Sequence, residues 1–330
     1  MIHHGGRLEA LRKRFPDAPE PLIDLSTGIN PFSYPIPTIP PEAYTRLPEE
    51  GQIRELKEAA ATAYRCRDPD LIAVAPGTQL LISSLPRVLP SDHVSVLSPT
   101  YAEHAASWSN AGAEVSAITS LDDVPEHGTV VWCNPNNPDG RSVPAADLVA
   151  RQQTRANQGG LMVVDEAFAE FAEANLSAAE NMPQRGLILL RSFGKAYGLA
   201  GVRLGFMIAE RHIVQRVEEA LGPWPVSGIS IHIAKAALGD NAWRSTMACR
   251  LTRECTALDD LLTSFGFALV GGTSLFRLVR HEEASEVAEK LAQAGILVRE
   301  FPENPHRLRF GLPPDEMARK RLRKALQAAA

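Results

Sequence analysis

Lys195 lies in the run Ser192-Phe193-Gly194-Lys195-Ala196-Tyr197-Gly198-Leu199-Ala200-Gly201-Val202-Arg203, where an amine nucleophile stands between two groups able to bind an anion. A lysine condenses with an aldehyde only in its neutral form, and burial penalises the charged form, so small neighbours favour that chemistry. Gly194, Ala196 and Gly198 are such neighbours. Ser192, three residues earlier, and Arg203, eight residues later, offer a phosphate a hydroxyl and a charged guanidinium fork. An aldehyde bearing a phosphate meets both demands, and pyridoxal 5'-phosphate is such a molecule. A lysine in a Gly/Ala-rich turn is otherwise an ordinary solvated residue, so the reading needs other residues to converge on it.

Several do. Asp165-Glu166-Ala167-Phe168 follows the apolar run Leu161-Met162-Val163-Val164, which places a carboxylate at the end of a buried strand, where it demands a cationic partner. Gly77-Thr78-Gln79 follows Ile72-Ala73-Val74-Ala75 and offers backbone N–H groups and the Thr78 hydroxyl at a helix start, a natural phosphate seat. Asn134-Pro135-Asn136-Asn137-Pro138-Asp139-Gly140 reads as a turn. Taken singly, each has a plainer use: an Asp caps turns, Asn-Asn-Pro-Asp-Gly makes a turn in any loop, and a glycine-led helix start binds nothing.

The lysine, aspartate and asparagine motifs in this order resemble the class I/II aminotransferases, a family of fold type I pyridoxal-phosphate enzymes, and weaker similarity extends over almost the whole chain. The resemblance implies catalytic roles for Lys195, the imine-forming amine, and Asp165, the partner of the protonated pyridine nitrogen. It implies that Asn137 bonds the cofactor's phenolic oxygen and that Tyr101 stacks on its ring, with Gly77, Thr78, Gln79, Ser192 and Arg203 completing the cofactor site. Arg309, in Arg307-Leu308-Arg309-Phe310-Gly311, would grip the substrate α-carboxylate with a bidentate fork. Without the resemblance, Tyr101 reads equally as a core tyrosine and Arg309 as a surface residue on a strand.

Some positions depart from the family pattern. Phe168 stands where most relatives carry a tyrosine whose hydroxyl bonds the cofactor oxygen, Asp139 where threonine is usual, and Leu47 where relatives often carry a tyrosine that reaches the neighbouring subunit. Tyr44 is a candidate to replace that last group. With Phe168, the segments His4-Gly5-Gly6 and Asp24-Leu25-Ser26-Thr27-Gly28-Ile29-Asn30-Pro31 are similar to the threonine-phosphate decarboxylase branch of cobalamin biosynthesis. That branch is close to the histidinol-phosphate aminotransferases, which are the runner-up reading. The branch implies a small phosphorylated amino acid as substrate, held by His4, Gly5, Gly6, Gly28, Asn30 and Arg299, and loss of its carboxylate as carbon dioxide. Decarboxylation needs the Cα–carboxylate bond perpendicular to the cofactor plane; transamination needs the Cα–H bond there. Lys195 would then return a proton to Cα.

These residues need a scaffold with many strand ends on one edge. Strands are predicted at 71–75, 93–97, 114–118, 130–133, 161–164, 187–191 and 202–208, with helices at 52–64, 77–89, 102–112 and within 144–158. Buried strands alternating with helices argue for an α/β fold, a mostly parallel seven-stranded sheet covered on both faces, with ligands at the carboxyl ends of the strands. Gly77, Asn137, Asp165 and Lys195 all follow predicted strand ends. Beyond about residue 211, long helices and predicted strands at 268–270, 275–279, 297–299 and 308–310 suggest a smaller α+β domain. The expected organisation is an arm, 1–45, joining the small domain, a large cofactor domain, 46–225, and the small domain itself, 226–330. The proline-rich stretch 31–48 is expected to be extended.

Composition agrees with a soluble enzyme: of 330 residues, 45% are apolar and 22% charged, and the net charge is −5. That balance gives no nucleic-acid footprint, and Arg7, Arg12, Lys13 and Arg14 read as the solvated face of an N-terminal helix. Cys66, Cys133, Cys249 and Cys255 lack the spacing of a zinc site or a secreted disulfide framework. No metal is expected. Neither an apolar run of membrane length nor a signal-peptide core is visible, so a cytoplasmic location is expected, and the family likeness implies a homodimer. A ligand-sensing regulator of this fold would usually carry a fused DNA-binding domain, for which no spare segment is expected. A P-loop at Gly194-Lys195 fails because Leu189 occupies the required earlier glycine position and Ala196 replaces the Ser/Thr.

Overall fold

The computed structural model describes residues 5–329. Twelve strands are present among them: β1 Ile23–Leu25, β2 Ile72–Ala75, β3 His93–Leu97, β4 Glu114–Ile118, β5 Thr129–Cys133, β6 Leu161–Asp165, β7 Leu187–Ser192, β8 Gly205–Ile208, β9 Ala268–Thr273, β10 Phe276–Arg280, β11 Ile296–Glu300 and β12 Arg307–Gly311. The chain forms two compact units. One comprises Ser33–Asn137 and Arg141–Arg244; the other comprises Pro138–Gly140 and the described residues of Met1–Phe32 and Ser245–Ala330.

The first unit holds the seven-stranded sheet expected from the sequence, in the order β2-β8-β7-β6-β5-β3-β4. Strands β3 to β7 pair in parallel, whereas β8 runs antiparallel to both its neighbours. The start of β8 therefore lies on the edge where β2 and β7 end, and Gly205 stands opposite both Ala75 and Ser192. Strand pairing alone thus gathers the segments carrying Gly77, Ser192 and Arg203. Successive side chains point to opposite faces. Val130, Trp132, Met162, Val164, Leu189 and Phe206 join one buried core, and Val131, Val163, Ile188, Leu190 and Met207 join the other. Helices Glu50–Tyr64 and Gly228–Gly239 contribute to the first core, helices Thr78–Val88 and Arg211–Leu221 to the second.

The second unit holds a five-stranded sheet, β1-β11-β12-β10-β9, antiparallel except for the β1–β11 pair. Arg299 and Arg309 stand directly opposite each other and so share a face. The alternate residues Val298, Leu308 and Phe310 are buried, as are Val287 and Leu291 of helix Ala284–Gln293 and Leu322 and Leu326 of helix Glu316–Ala329.

Two local features differ from the sequence reading. Strand β1, three residues long, is too short to show alternation and is specified instead by its partner, with Ile23 opposite Ile296. The expected extended stretch 31–48 is interrupted by helix Glu42–Thr45, which starts after Pro41, whose φ of −53° is already helical. In the second unit, Gly140 has a left-handed φ of +72°, and a Cβ there would collide with the Gly272 carbonyl. Gly140→Ala is accordingly expected to lower stability by about 2 kcal/mol or more in urea unfolding. A loss under about 0.5 kcal/mol would show that the loop moves away freely.

Candidate active site

Strand β7 ends at Ser192, the N-cap of the short helix Phe193–Ala196 that carries Lys195. Gly194 and Ala196 are buried and Lys195 is half-buried between them. Gly194 is needed for packing, since a Cβ there would lie 2.8 Å from Ala200 Cα. The Lys195 Nζ sits over the buried Phe168 ring, 4.9 Å from its centroid, so position 168 offers the amine a π face and no hydroxyl.

Asp165 ends β6 and shares the parity of Val163, which turns it toward the face covered by helix Thr78–Val88. Both of its oxygens are engaged: Oδ2 lies 2.9 Å from His104 Nε2, and Oδ1 accepts a 3.0 Å bond from the Ala167 N–H. Burial pushes its carboxyl up, but the hydrogen bond and charge of His104, the Lys195 charge and the Ala167 bond pull it further down, to a net lowering. Burial likewise opposes charge on the His104 imidazole, yet Cys133 and Asp165 more than offset it and raise its pKa to about 10. The donor atoms of His104, Cys133 and Asp165 lie within 4.8 Å of one another, all buried. Sequence reasoning missed His104. Its signal was the spacing to Tyr101, three residues earlier, against which it packs edge-on at 5.9 Å.

Gly77 is the N-cap of helix Thr78–Val88, with φ +90°, and Thr78 is buried at the first turn. A Cβ on Gly77 would fall 2.6 Å from Arg203 Nη2, and a Cβ on Gly205 would fall 2.5 Å from the Thr78 nitrogen. At both positions the absence of a side chain lets the Arg203 guanidinium, the start of helix Thr78–Val88 and the start of β8 approach one another closely. Arg203 itself adopts a left-handed φ of +55°, which aims it back across the start of β8. Tyr101 donates a 2.9 Å bond from its hydroxyl to Gln79 Oε1, and the Gln79 amide donates to Glu103 at 3.3 Å. Asn137 follows a loop pinned on both sides. Asn134 receives the Val143 N–H and donates to the Val143 and Leu176 carbonyls, while Asn136 accepts from Thr100 and donates to the Pro99 carbonyl. The unit thus brings together an amine, an ionised buried carboxylate, and a helix start faced by a guanidinium. Those are the groups that a phosphorylated aromatic aldehyde with a protonated ring nitrogen requires, and a guanidinium held against a glycine-led helix start suits an anion.

The substrate candidates fall in the other unit. His4 lies outside the described residues. Gly5 and Gly6 are held against the end of β1: a Cβ on Gly5 would lie 2.5 Å from the Ser26 carbonyl oxygen, and the Gly6 N–H donates to Ser26 Oγ at 2.8 Å. Ser26 in turn donates its N–H and hydroxyl to Asp24 Oδ1 at 2.8 and 2.6 Å. Gly28 and Asn30 are buried in the loop after β1, where Asn30 Oδ1 accepts the Phe32 N–H at 2.9 Å. Arg309 is buried, donates to the Ser26 carbonyl at 2.8 Å and lies 4.9 Å from the Phe276 ring centroid. Burial, with Arg299 assisting and Asp24 opposing, lowers its pKa to about 10. Asp24 and Ser26 were not among the sequence candidates, although both lie inside the N-terminal motif.

Residues 42–328 match the family model of aminotransferase class I and II. The chain belongs to that family. Two class I and II relatives are each 41% identical to it: a threonine-phosphate decarboxylase of a Sinorhizobium species, aligned over 98% of this chain and 97% of the relative, and one of Pseudomonas aeruginosa, over 99% and 97%. Among solved structures, the histidinol-phosphate aminotransferase of Sinorhizobium meliloti in complex with pyridoxal-5'-phosphate superposes with a TM-score of 0.83, at 20% identity, covering 100% of this chain and 96% of that one. That likeness shows a class I and II aminotransferase fold of type I, as the sequence implied. No described helix is long and apolar enough to cross a membrane.

The raised pKa of His104 means that it stabilises the fold fully below its ordinary value of 6.5 and loses that contribution as pH climbs toward about 10. Asp165, lowered, contributes fully above its ordinary 3.8 and loses it as pH falls through its folded value. The gap in urea stability between the unaltered protein and His104→Asn is therefore expected to be largest near about pH 5.5 and to shrink by about pH 10. A gap independent of pH would show that the folded imidazole is neutral.

Proposed function

We propose that the chain is a pyridoxal-phosphate-dependent decarboxylase that converts L-threonine O-3-phosphate to (R)-1-amino-2-propanol O-2-phosphate and carbon dioxide, in cobalamin biosynthesis. The observation that carries this reading is 41% identity, over nearly the whole of both chains, to two proteins that bear this activity in their names. The lysine and carboxylate that the chemistry needs support it, since Lys195 is close enough to lower the Asp165 pKa.

When bound, pyridoxal phosphate supplies an aldehyde that condenses with amines and a cationic ring that accepts the electron pair left by a broken bond to Cα. Gly77, Thr78, Gln79, Ser192 and Arg203 would hold its phosphate, Tyr101 would lie against its ring, and Asn137 would donate to its phenolic oxygen. Asp165, which His104 helps to keep ionised, would keep the ring nitrogen protonated. Arg309 takes the substrate carboxylate, and Arg299, with His4, Gly5, Gly6, Gly28 and Asn30, takes its phosphate. Lys195 would deliver a proton to Cα in place of the departing carboxylate. The Phe168 side chain carries no hydroxyl, so the amine's proton is not shared with one at that position. A homodimer and a cytoplasmic location belong to the same reading and rest on family likeness. Leu47, at the position of the family's subunit-bridging tyrosine, and Tyr44, the candidate to replace that group, are both exposed.

Protein reconstituted with pyridoxal phosphate is expected to release carbon dioxide from L-threonine O-3-phosphate with no keto acid present. Lys195→Ala is expected to lower the turnover by about 100-fold or more. Absence of carbon dioxide, together with glutamate formation from histidinol phosphate and 2-oxoglutarate, would replace this reading with the aminotransferase one.

A further inference from the structure

The second unit contains a cavity of about 390 Å³ whose charged lining residues are Arg7, Arg299, Arg307 and Glu300. Three guanidiniums against one carboxylate leave a cavity suited to a dianion, which is the charge of a phosphate monoester at neutral pH. Arg299 is already a candidate for that role, but Arg7 and Arg307 are not. Arg7 also differs from the other cations near it. Arg12 pairs with Glu20, Lys13 with Glu9 and Arg14 with Glu289, as a solvated helix face should. Among the described residues, no carboxylate pairs with Arg7 or with Arg307.

Two independent features aim these side chains. Arg307 and Arg309 are two apart on β12, and Arg309 stands opposite Arg299, so all three arginines share one face of the sheet. Arg7 is carried there by the backbone before it: Gly5 rests against the Ser26 carbonyl with no room for a Cβ, and Gly6 is bonded to Ser26 Oγ. Ser26 lines the same cavity. The glycine pair thus fixes where the next residue emerges.

We propose that Arg7 and Arg307 are specificity-determining residues that complete, with Arg299, a three-arginine seat for the phosphate of the substrate. The proposal rests on the phosphoamino-acid reading above. Charge-assisted bonds from guanidinium to phosphate act on ground state and transition state alike, so their loss appears mainly in KM.

The test uses the cofactor-loaded protein and the variants Arg7→Ala, Arg307→Ala and Arg7→Lys. With L-threonine O-3-phosphate, each alanine variant is expected to raise KM about tenfold or more, with kcat changed less than about threefold. The competitive inhibition constant of inorganic phosphate should rise by a similar factor, and Arg7→Lys should recover part of both losses. Arg7 is exposed, so its variants should keep the parent melting temperature. Unchanged KM and unchanged phosphate inhibition in both alanine variants would overturn the proposal. If the parent releases no carbon dioxide, the functional reading fails separately, and calorimetric titration with inorganic phosphate still decides the role of the arginines. Binding weakened by the alanine variants supports the seat; binding equal to the parent removes it.

Discussion

A charge at the buried end of a strand must be met by an opposite charge, and the first unit is arranged around that requirement. The end of β6 presents two carboxylates in succession, and strand geometry sends them to opposite faces. Asp165 meets His104 on one side. Glu166 meets Arg191 at 3.0 Å on the other, and Arg191 also reaches Glu170 at 2.7 Å. Burial opposes the Arg191 charge, but the two glutamates hold its pKa above the ordinary guanidinium value. Ser177 and the Ala178 N–H saturate the Glu166 oxygens further. Removing one partner of such a cluster strands a buried charge, so the network ties the ends of β6 and β7 together. Lys195 is three residues beyond the end of β7, and its position depends on that tie.

Topology does the remaining positioning. A wholly parallel sheet would put the start of the strand following Arg203 at the far edge, away from Ser192. Reversing β8 puts Gly205 between Ala75 and Ser192 in register. One antiparallel strand thus brings Ser192 and the segment carrying Arg203, 11 residues later in sequence, into a local cluster. Glycine at 205 is part of the same solution, because the start of helix Thr78–Val88 lies too close for any side chain.

The inner strands of the large sheet were legible because they are largely apolar runs with covered faces; β3 and the more exposed edge strand β4 coincide with the predicted 93–97 and 114–118. The seventh strand was placed at 202–208 but begins at Gly205. Residues 200–202 form a 3-10 turn, and Arg203 is left-handed, so the apolar Val202 belongs to the turn. Strand β1 left no periodic trace, since it is defined by pairing with β11, some 270 residues away in sequence. The individual cofactor-site candidates stood out by chemical type and offset. His104 did not, because a histidine inside an amphipathic helix looks the same in sequence whether it faces solvent or a buried carboxylate.

The N-terminal motif shows how one set of residues can carry two kinds of information. His4-Gly5-Gly6 suggests a flexible loop offering N–H groups to an anion, and flexibility is the usual meaning of paired glycines near a terminus. Here Gly5 has no side chain because its backbone is pressed against Ser26, and the Gly6 N–H is spent on the Ser26 hydroxyl. The conformational freedom of glycine is used once, at Gly6, whose φ is +82°. What the motif builds is therefore a fixed corner, and Ser26 is its keystone: it accepts from Gly6 and Arg309 and donates to Asp24. A residue bonded to both the N-terminal segment and Arg309 couples their positions, so the geometry at the buried guanidinium is set partly by residues more than 280 positions away.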